Sequence, residues 1–137
     1  MSSLKIITTR DGSHSLLNEQ LNETYHSVHG AVQESAYVFI EKGLDLLMTK
    51  SQTTIEILEV GFGTGLNALL TLQKANDHSV HYTSLEAFPV QEEIWSALNY
   101  TSSAESKDWF KKLHRAEWNK WIEIKSKRAM TLGTRHC

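Results

Sequence analysis

Residues 55–67 hold the main evidence for the fold and read Ile55-Glu56-Ile57-Leu58-Glu59-Val60-Gly61-Phe62-Gly63-Thr64-Gly65-Leu66-Asn67. The first six residues predict a mostly buried strand, and three alternate glycines then end it. Apolar residues at helical spacing begin at Leu66 and predict a helix up to Asn76. A second strand is predicted from Val80 to Glu86. Strand, glycine turn, helix and strand in this order predict an α/β fold with a parallel sheet.

The glycine turn predicts a site for an anionic group. Gly61 permits the tight turn, Gly63 lets a ligand approach the backbone, and Gly65 lets helix and strand pack closely. The free N–H groups at the start of the helix favour a carboxylate or a phosphate. Dinucleotide binders need glycine where this chain has Leu66, and a P-loop needs Gly-Lys-Ser/Thr. The spacing therefore disfavours both of these nucleotide sites.

The acids around the turn indicate the kind of ligand. Glu86 ends the second strand, where a carboxylate can accept hydrogen bonds from both ribose hydroxyls. Glu59 precedes the Gly-x-Gly-x-Gly run, and this pattern resembles that of class I S-adenosylmethionine-dependent methyltransferases. The resemblance implies a Rossmann-like fold and S-adenosyl-L-methionine as cofactor. The alternative is that Glu86 only ends a strand in solvent and the glycines form a bare turn.

Further motifs extend the resemblance to a particular family; they are Asp11-Gly12-Ser13, Glu23-Thr24-Tyr25-His26-Ser27, Gly30-Ala31, Glu34-Ser35, Val38-Phe39-Ile40 and Glu86-Ala87-Phe88-Pro89-Val90. With the turn, residues 5–122 resemble the tRNA 5-methylaminomethyl-2-thiouridine methyltransferases, which occur as a free-standing MnmD type and as the N-terminal domain of MnmC. The resemblance implies methyl transfer to the amine of 5-aminomethyl-2-thiouridine at the tRNA wobble position. It also implies a separate oxidoreductase that acts upstream.

The same resemblance assigns the site residues. Glu86 is expected to hold the ribose. The other residues expected to line the cofactor are Tyr25, Glu34, Ser35, Glu59, Gly61, Phe62, Gly63, Thr64, Gly65 and Asn67. The segment that carries Tyr25, Glu34 and Ser35 closes over the site in this family, and Glu34 is expected to accept the cofactor's amino group. The family's catalytic aspartate belongs to an Asp-Ala-Phe-x-Pro motif that this sequence lacks. No catalytic residue is therefore predicted.

The C-terminal end departs from the family pattern. Residues 1–124 are predicted to form the N-terminal portion of a methyltransferase domain with an incomplete parallel sheet. Residues 125–137 are predicted to be a divergent basic tail, produced by a truncation or a reading-frame shift. Two alternatives therefore stay open, a non-catalytic remnant with at most weak cofactor binding and a small-molecule N-methyltransferase.

Composition excludes several classes of protein. The 137 residues suffice for one domain, and 40% hydrophobic with 22% charged residues is ordinary globular usage. The sequence has neither an apolar run long enough to span a bilayer nor a secretory signal. Its single cysteine, Cys137, excludes a disulfide scaffold and a cysteine zinc cluster within one chain. We therefore expect a cytoplasmic protein without membrane association.

Basic, histidine and tryptophan residues leave alternatives open. Nine of the 14 lysines and arginines follow residue 106, where they either contact tRNA phosphates or form a solvated helix face. His26 and His29 are three residues apart, but no carboxylate or cysteine completes a convincing ligand set. We therefore predict no metal site and expect the histidines at the surface or in packing. The tryptophans are expected in the core or at its rim rather than stacked on bases.

Overall fold

The computed structural model describes residues 3–49, 54–75, 78–125 and 130–136. The elements along the chain are, in order, β1 (Leu4–Thr8), β2 (His14–Asn18), β3 (Glu23–Thr24), α1 (Ala31–Ser35), a π-helical segment (Ala36–Leu44), α2 (Asp45–Met48), β4 (Thr54–Val60), α3 (Leu66–Lys74), β5 (Ser79–Glu86), α4 (Glu92–Trp95), α5 (Ala104–His114), β6 (Trp121–Lys125) and β7 (Met130–His136). None of the described helices is both long and apolar enough to cross a bilayer.

The N-terminal strands form a small antiparallel sheet in the order β1-β2-β3. From the sequence, Leu4 to Thr9 is expected to be an edge strand or an extended lead-in, residues 11–13 a turn, and the residues from there to Ser27 a polar stretch. The structure instead forms β2 and β3 within that stretch. Ser15 and Leu16 of β2 are both buried, and a buried serine breaks the alternation of apolar and polar residues that indicates a strand. Asp11 joins this turn to the next helix, because its Oδ2 accepts a hydrogen bond from the Gln33 N–H at 2.9 Å.

The helical stretch after the turn is continuous, whereas the sequence predicts two separate helices. Helical spacing predicts a helix over residues 31–42 that stops at Gly43 and a short second helix with Leu44, Leu47 and Met48. In the structure α1, the π-helical segment and α2 follow one another without a break to Met48. Ile40 and Leu44 lie on either side of the expected stop and are both buried in the core. Their packing keeps the chain helical, since helices in proteins are held mainly by their buried face.

The second sheet has the strand order β4-β5-β7-β6. Strands β4, β5 and β7 are parallel, and β6 pairs antiparallel to β7. The predicted α/β fold with a parallel sheet is therefore confirmed. In the register of β4 and β5, Glu59 lies opposite Ser84, which places the end of β4 beside the end of β5. The predicted boundary at residue 124 stays a prediction, and Cys137 lies outside the described residues.

The two faces of β4 differ strongly. Ile55 and Glu59 are buried on the face that packs against α3 and the rest of the core. Leu58 and Val60 point to the other face and are 68% and 80% exposed, so the prediction of a mostly buried strand was wrong for that face. Trp121 of β6 is also exposed, whereas parallel sheets are usually covered on both faces. We call the side of Leu58, Val60 and Trp121 the open face.

The helices after β5 also differ from the prediction in their bounds. The apolar stripe of Val90, Ile94, Ala97 and Leu98 predicts a helix with Pro89 in its first turn, but α4 covers only Glu92–Trp95. The sequence predicts a further helix from Lys107 to Trp118 with Ser106 as its cap, whereas α5 covers Ala104–His114. Ser103 is the N-cap instead, because Ser103 Oγ accepts the Ser106 N–H at 3.0 Å and Ser106 Oγ accepts the Ser103 N–H at 3.1 Å. This reciprocal capping box starts α5 three residues early.

Candidate functional site

The glycine turn connects β4 to α3 and contains three left-handed residues. Gly61, Gly63 and Gly65 have φ values of +88°, +57° and +78°. A Cβ atom on Gly63 would lie 3.2 Å from the Tyr25 ring, and one on Gly65 would lie 2.9 Å from His114 Nε2. Gly65 thus permits close packing against a histidine of α5, where the sequence had suggested close packing of helix and strand.

A cavity of about 550 Å³ opens over this turn. It is lined by all but one of the residues that the sequence assigned to the cofactor, namely Tyr25, Glu34, Ser35, Glu59, Gly61, Phe62, Gly63, Thr64, Asn67 and Glu86. Gly65 is the exception. The cavity is also lined by residues without an assigned role, which are His26, Val38, Phe39, Leu66 and Phe88. All except Leu66 belong to the family motifs that lie outside the glycine turn. Those motifs are the signal in the sequence that could have identified these residues.

Glu86 closes the glycine turn from the end of β5. Its Oε1 accepts a hydrogen bond from the Gly63 N–H at 2.6 Å, and its Oε2 accepts one from the Phe88 N–H at 3.2 Å. A carboxylate offers about four lone-pair positions, so acceptor capacity remains on both oxygens. Glu86 can therefore fix the turn and still accept hydrogen bonds from a pair of hydroxyls in the cavity.

Glu59 is the buried acid of the site. Its Oε1 accepts a hydrogen bond from Ser84 Oγ at 2.9 Å, and its Oε2 accepts one from Asn67 Nδ2 at 3.2 Å. Burial raises the pKa of Glu59 to about 7, although these hydrogen bonds favour the ionised form. The Asn67 Oδ1 atom is buried and has no hydrogen-bond partner among the described residues. The site thus offers an unpaired acceptor beside a carboxyl that a cationic ligand would favour in its ionised form.

Residues 25–30 cross the turn, and we call them the strap. Two hydrogen bonds tie its beginning to β2, from the Tyr25 N–H to the Leu16 carbonyl at 2.9 Å and from the His26 N–H to Ser15 Oγ at 3.0 Å. Burial, together with the nearby Glu86 carboxylate, raises the pKa of Tyr25. Tyr25 is therefore a neutral phenol that covers one side of the cavity at physiological pH.

His114 supports the turn from behind. Its Nε2 lies 2.9 Å from the Thr64 carbonyl oxygen, and its ring stacks on Trp95 with centroids 4.8 Å apart and an interplanar angle of 8°. Burial lowers the pKa of His114 to about 4, so the ring is neutral near pH 7. A carbonyl oxygen only accepts, so the proton of the neutral ring is on Nε2. Sequence reasoning missed this contact.

Three of the described basic residues near the C-terminal end are paired with acids. Lys112 lies 3.0 Å from Asp108, Arg115 lies 2.6 Å from Glu92, and Lys120 pairs with Glu117. These pairs reduce the positive charge that this surface could offer to a polyanion. In the part of the chain that the structure describes, no group of three His, Cys, Asp or Glu residues is placed to hold a metal ion.

Comparison with known proteins adds sequence relatives and a solved structure. No protein-family profile matches the chain. The tRNA 5-methylaminomethyl-2-thiouridine biosynthesis bifunctional protein MnmC of Leptospira interrogans is 39% identical over 95 residues, which are 63% of this chain and 14% of that protein. MnmC of Legionella pneumophila is 33% identical over 85 residues, 54% of this chain and 13% of that protein. The crystal structure of MnmC2 from Aquifex aeolicus matches 100% of this chain and 43% of its own chain, with a TM-score of 0.76 and 26% identity.

The parallel sheet, the glycine turn and this structural match define a Rossmann-like methyltransferase fold, as the sequence predicted. The chain is related to the MnmC proteins, and the resemblance drawn from the motifs is confirmed. The chain spans only a small part of the length of the curated relatives that it matches, 14% for the Leptospira protein.

Proposed function

We propose that the chain binds S-adenosylmethionine and transfers its methyl group to the amine of 5-aminomethyl-2-thiouridine at the wobble position of tRNA. The observation that carries this proposal is the cavity of about 550 Å³ over the glycine turn, with Glu34, Glu59 and Glu86 in its wall. The names of the related MnmC proteins favour a tRNA nucleoside over a free small amine as the acceptor. The reaction would take place in the cytoplasm, after a separate oxidoreductase has exposed the amine.

The chemistry of the donor set fits this cofactor. S-adenosylmethionine carries an ammonium group, a sulfonium cation, a carboxylate and a ribose diol. Glu59 and the unpaired Asn67 Oδ1 suit the ammonium group, because both accept hydrogen bonds in a buried place. Glu86 retains acceptor capacity for the diol, and the N–H groups at the start of α3 suit the carboxylate.

The residues of this chain would contribute positioning more than acid–base chemistry. When bound, the cofactor supplies a methyl group already activated by the positive charge on sulfur. Glu59 would hold the ammonium end of the bound molecule and Glu86 its ribose, while Tyr25 would exclude water on the strap side. Methyl transfer needs an in-line approach of a neutral amine, and such alignment can supply much of the rate enhancement.

Calorimetric titration of S-adenosylmethionine into the purified chain tests the cofactor part of the proposal. We expect saturable binding that Glu86→Gln weakens about ten- to a hundredfold, since charged hydrogen bonds contribute about 1.5–3 kcal/mol. Glu56→Gln is the matched control, because Glu56 stands on β4 with its side chain exposed outside the cavity. Absence of binding by a chain with the circular dichroism of a folded α/β protein would refute the proposal.

The acceptor is tested with radiolabelled S-adenosylmethionine and two tRNA preparations. One preparation carries 5-aminomethyl-2-thiouridine, and the other already carries the methylated amine. We expect label only in the first. Cofactor binding without labelling of either tRNA would leave a cofactor-binding domain and reject the tRNA reaction for this chain.

A further inference from the structure

His26 bridges the strap, helix α1 and the glycine turn through its two ring nitrogens. Its Nε2 lies 3.0 Å from Thr64 Oγ1, and its Nδ1 lies 3.7 Å from Glu34 Oε1. Thr64 is almost completely buried, and Glu34 lies at the start of α1. All three residues line the cavity over the turn. The ring therefore connects two residues of the cavity wall that come from separate elements.

The Glu34 carboxylate is held from a second direction by the strap. Its Oε1 also accepts a hydrogen bond from the Ser27 N–H at 3.1 Å, so the same oxygen faces both the strap backbone and the His26 ring. The Glu34 side chain is 41% exposed, and without these contacts its rotamers would have room to leave the cavity. Fixing one carboxylate oxygen in this way leaves the other oxygen free to face a ligand.

The surroundings of His26 favour the neutral ring. Burial lowers the pKa of His26, and the Glu34 carboxylate acts in the opposite direction. Glu34 of α1 is the charged group that faces the ring, while the turn and β2 offer the neutral hydroxyls of Thr64 and Ser15. A neutral ring can accept the Thr64 hydroxyl hydrogen at Nε2 and direct its Nδ1 proton toward the Glu34 carboxylate, which lies at a distance longer than a direct hydrogen bond.

We infer that His26 is a positioning residue for the cofactor, which acts by fixing the Glu34 carboxylate and the Thr64 hydroxyl in the cavity wall. The inference rests on the proposed function, because it assigns His26 to the S-adenosylmethionine site. Nothing in the reaction requires a proton to pass through the ring. Its effect is on cofactor affinity, through Glu34, and on the order of the strap.

Two conservative substitutions separate the two contacts of His26. The amide nitrogen of asparagine can take the place of Nδ1, whereas the amide of glutamine reaches the place of Nε2. His26→Asn thus keeps a donor toward Glu34, and His26→Gln keeps the contact to Thr64. We expect His26→Gln to weaken S-adenosylmethionine binding about tenfold, about 1.4 kcal/mol, and His26→Asn to weaken it about threefold or less.

A double-mutant cycle tests whether His26 acts through Glu34. We expect Glu34→Gln alone to weaken binding, and His26→Gln to cause no further loss when added to Glu34→Gln. His29→Gln is the control, because His29 belongs to the same strap but is exposed and does not line the cavity. Equal losses for His26→Asn and His26→Gln, or losses that multiply in the double variant, would overturn the inference.

Hydrogen exchange of the Ser27 amide gives a readout without cofactor. This N–H donates to Glu34 Oε1, so we expect faster exchange in His26→Gln than in His26→Asn at equal global stability. Unchanged exchange in both variants would contradict the role of His26 in holding Glu34.

The proposed function and this inference fail in different ways. A folded wild-type chain that binds no S-adenosylmethionine rejects the proposed function and this inference together. Normal binding by both His26 variants rejects this inference alone.

Discussion

Replacing Glu59 with glutamine should change how the stability of the fold depends on pH. Glu59 is 8% exposed, and burial raises its pKa from the ordinary 4.5 to about 7. Glutamine has the same shape and cannot ionise. Its amide oxygen can accept the Ser84 hydroxyl, and its amide N–H can donate to the unpaired Asn67 Oδ1 once the asparagine amide rotates.

The size of the effect follows from proton linkage. The pKa rises from 4.5 in the unfolded chain to about 7 in the folded chain. A difference of about 2.5 units corresponds to about 3 kcal/mol. Because the folded state holds the proton more tightly, this contribution to stability is complete below pH 4.5. It is lost as the pH rises through about 7. Glu59→Gln should therefore be more stable than the wild type at neutral and alkaline pH by up to that amount.

Urea unfolding followed by circular dichroism measures this difference from about pH 4.5 to about pH 8. The quantity to plot is the variant's free energy of unfolding minus that of the wild type, since other groups titrate in both proteins and cancel. Glu56→Gln on the exposed side of β4 is the control and should follow the wild type. A difference that stays flat across this range would refute the argument that burial controls Glu59.

Three further predictions concern the turn and its surroundings. The pKa of His114 falls from 6.5 to about 4, so the wild type should lose about 3 kcal/mol of stability as the pH falls through this range. His114→Gln should remove most of this loss of unfolding free energy at acidic pH, as measured by urea titration. Gly63→Ala should cost about 1–2 kcal/mol of unfolding free energy, because alanine is strained at φ +57° and its Cβ would lie 3.2 Å from the Tyr25 ring. An unchanged urea midpoint would contradict this prediction. Binding of S-adenosylmethionine near pH 7 should release about half a proton from Glu59, seen as a buffer-dependent binding enthalpy that Glu59→Gln abolishes.

Local sequence order explains which parts of the fold were predictable. Strand β4, the glycine turn and α3 follow one another without interruption, so periodicity and glycine spacing indicate all three. The stop expected at Gly43 failed because burial of Ile40 and Leu44 depends on the tertiary core, which no local pattern contains. The second strand of the N-terminal hairpin was missed for a similar reason, since buried Ser15 reads as a loop residue.

Long-range contacts explain what was missed in the site. Most cavity residues come from continuous motifs, and a resemblance can therefore assign them. His26 and His114, however, meet Thr64 across 38 and 50 positions of sequence. A histidine is equally compatible with a surface, a core or a ligand contact until its neighbours are known. The role of Thr64 as the common partner of two histidines emerges only from the fold.

The open face of the second sheet affects how readily molecules of this chain associate in solution. Leu58 and Val60 present an apolar strip along β4, which lies at the end of the strand order. Exposed apolar strips next to a strand edge promote association between molecules. Colloidal stability therefore depends on one side of the sheet, whereas the proposed ligand site lies at the carboxyl ends of its strands. A charged residue in place of Leu58 would raise the concentration at which the protein stays in solution without associating, while leaving the glycine turn unchanged.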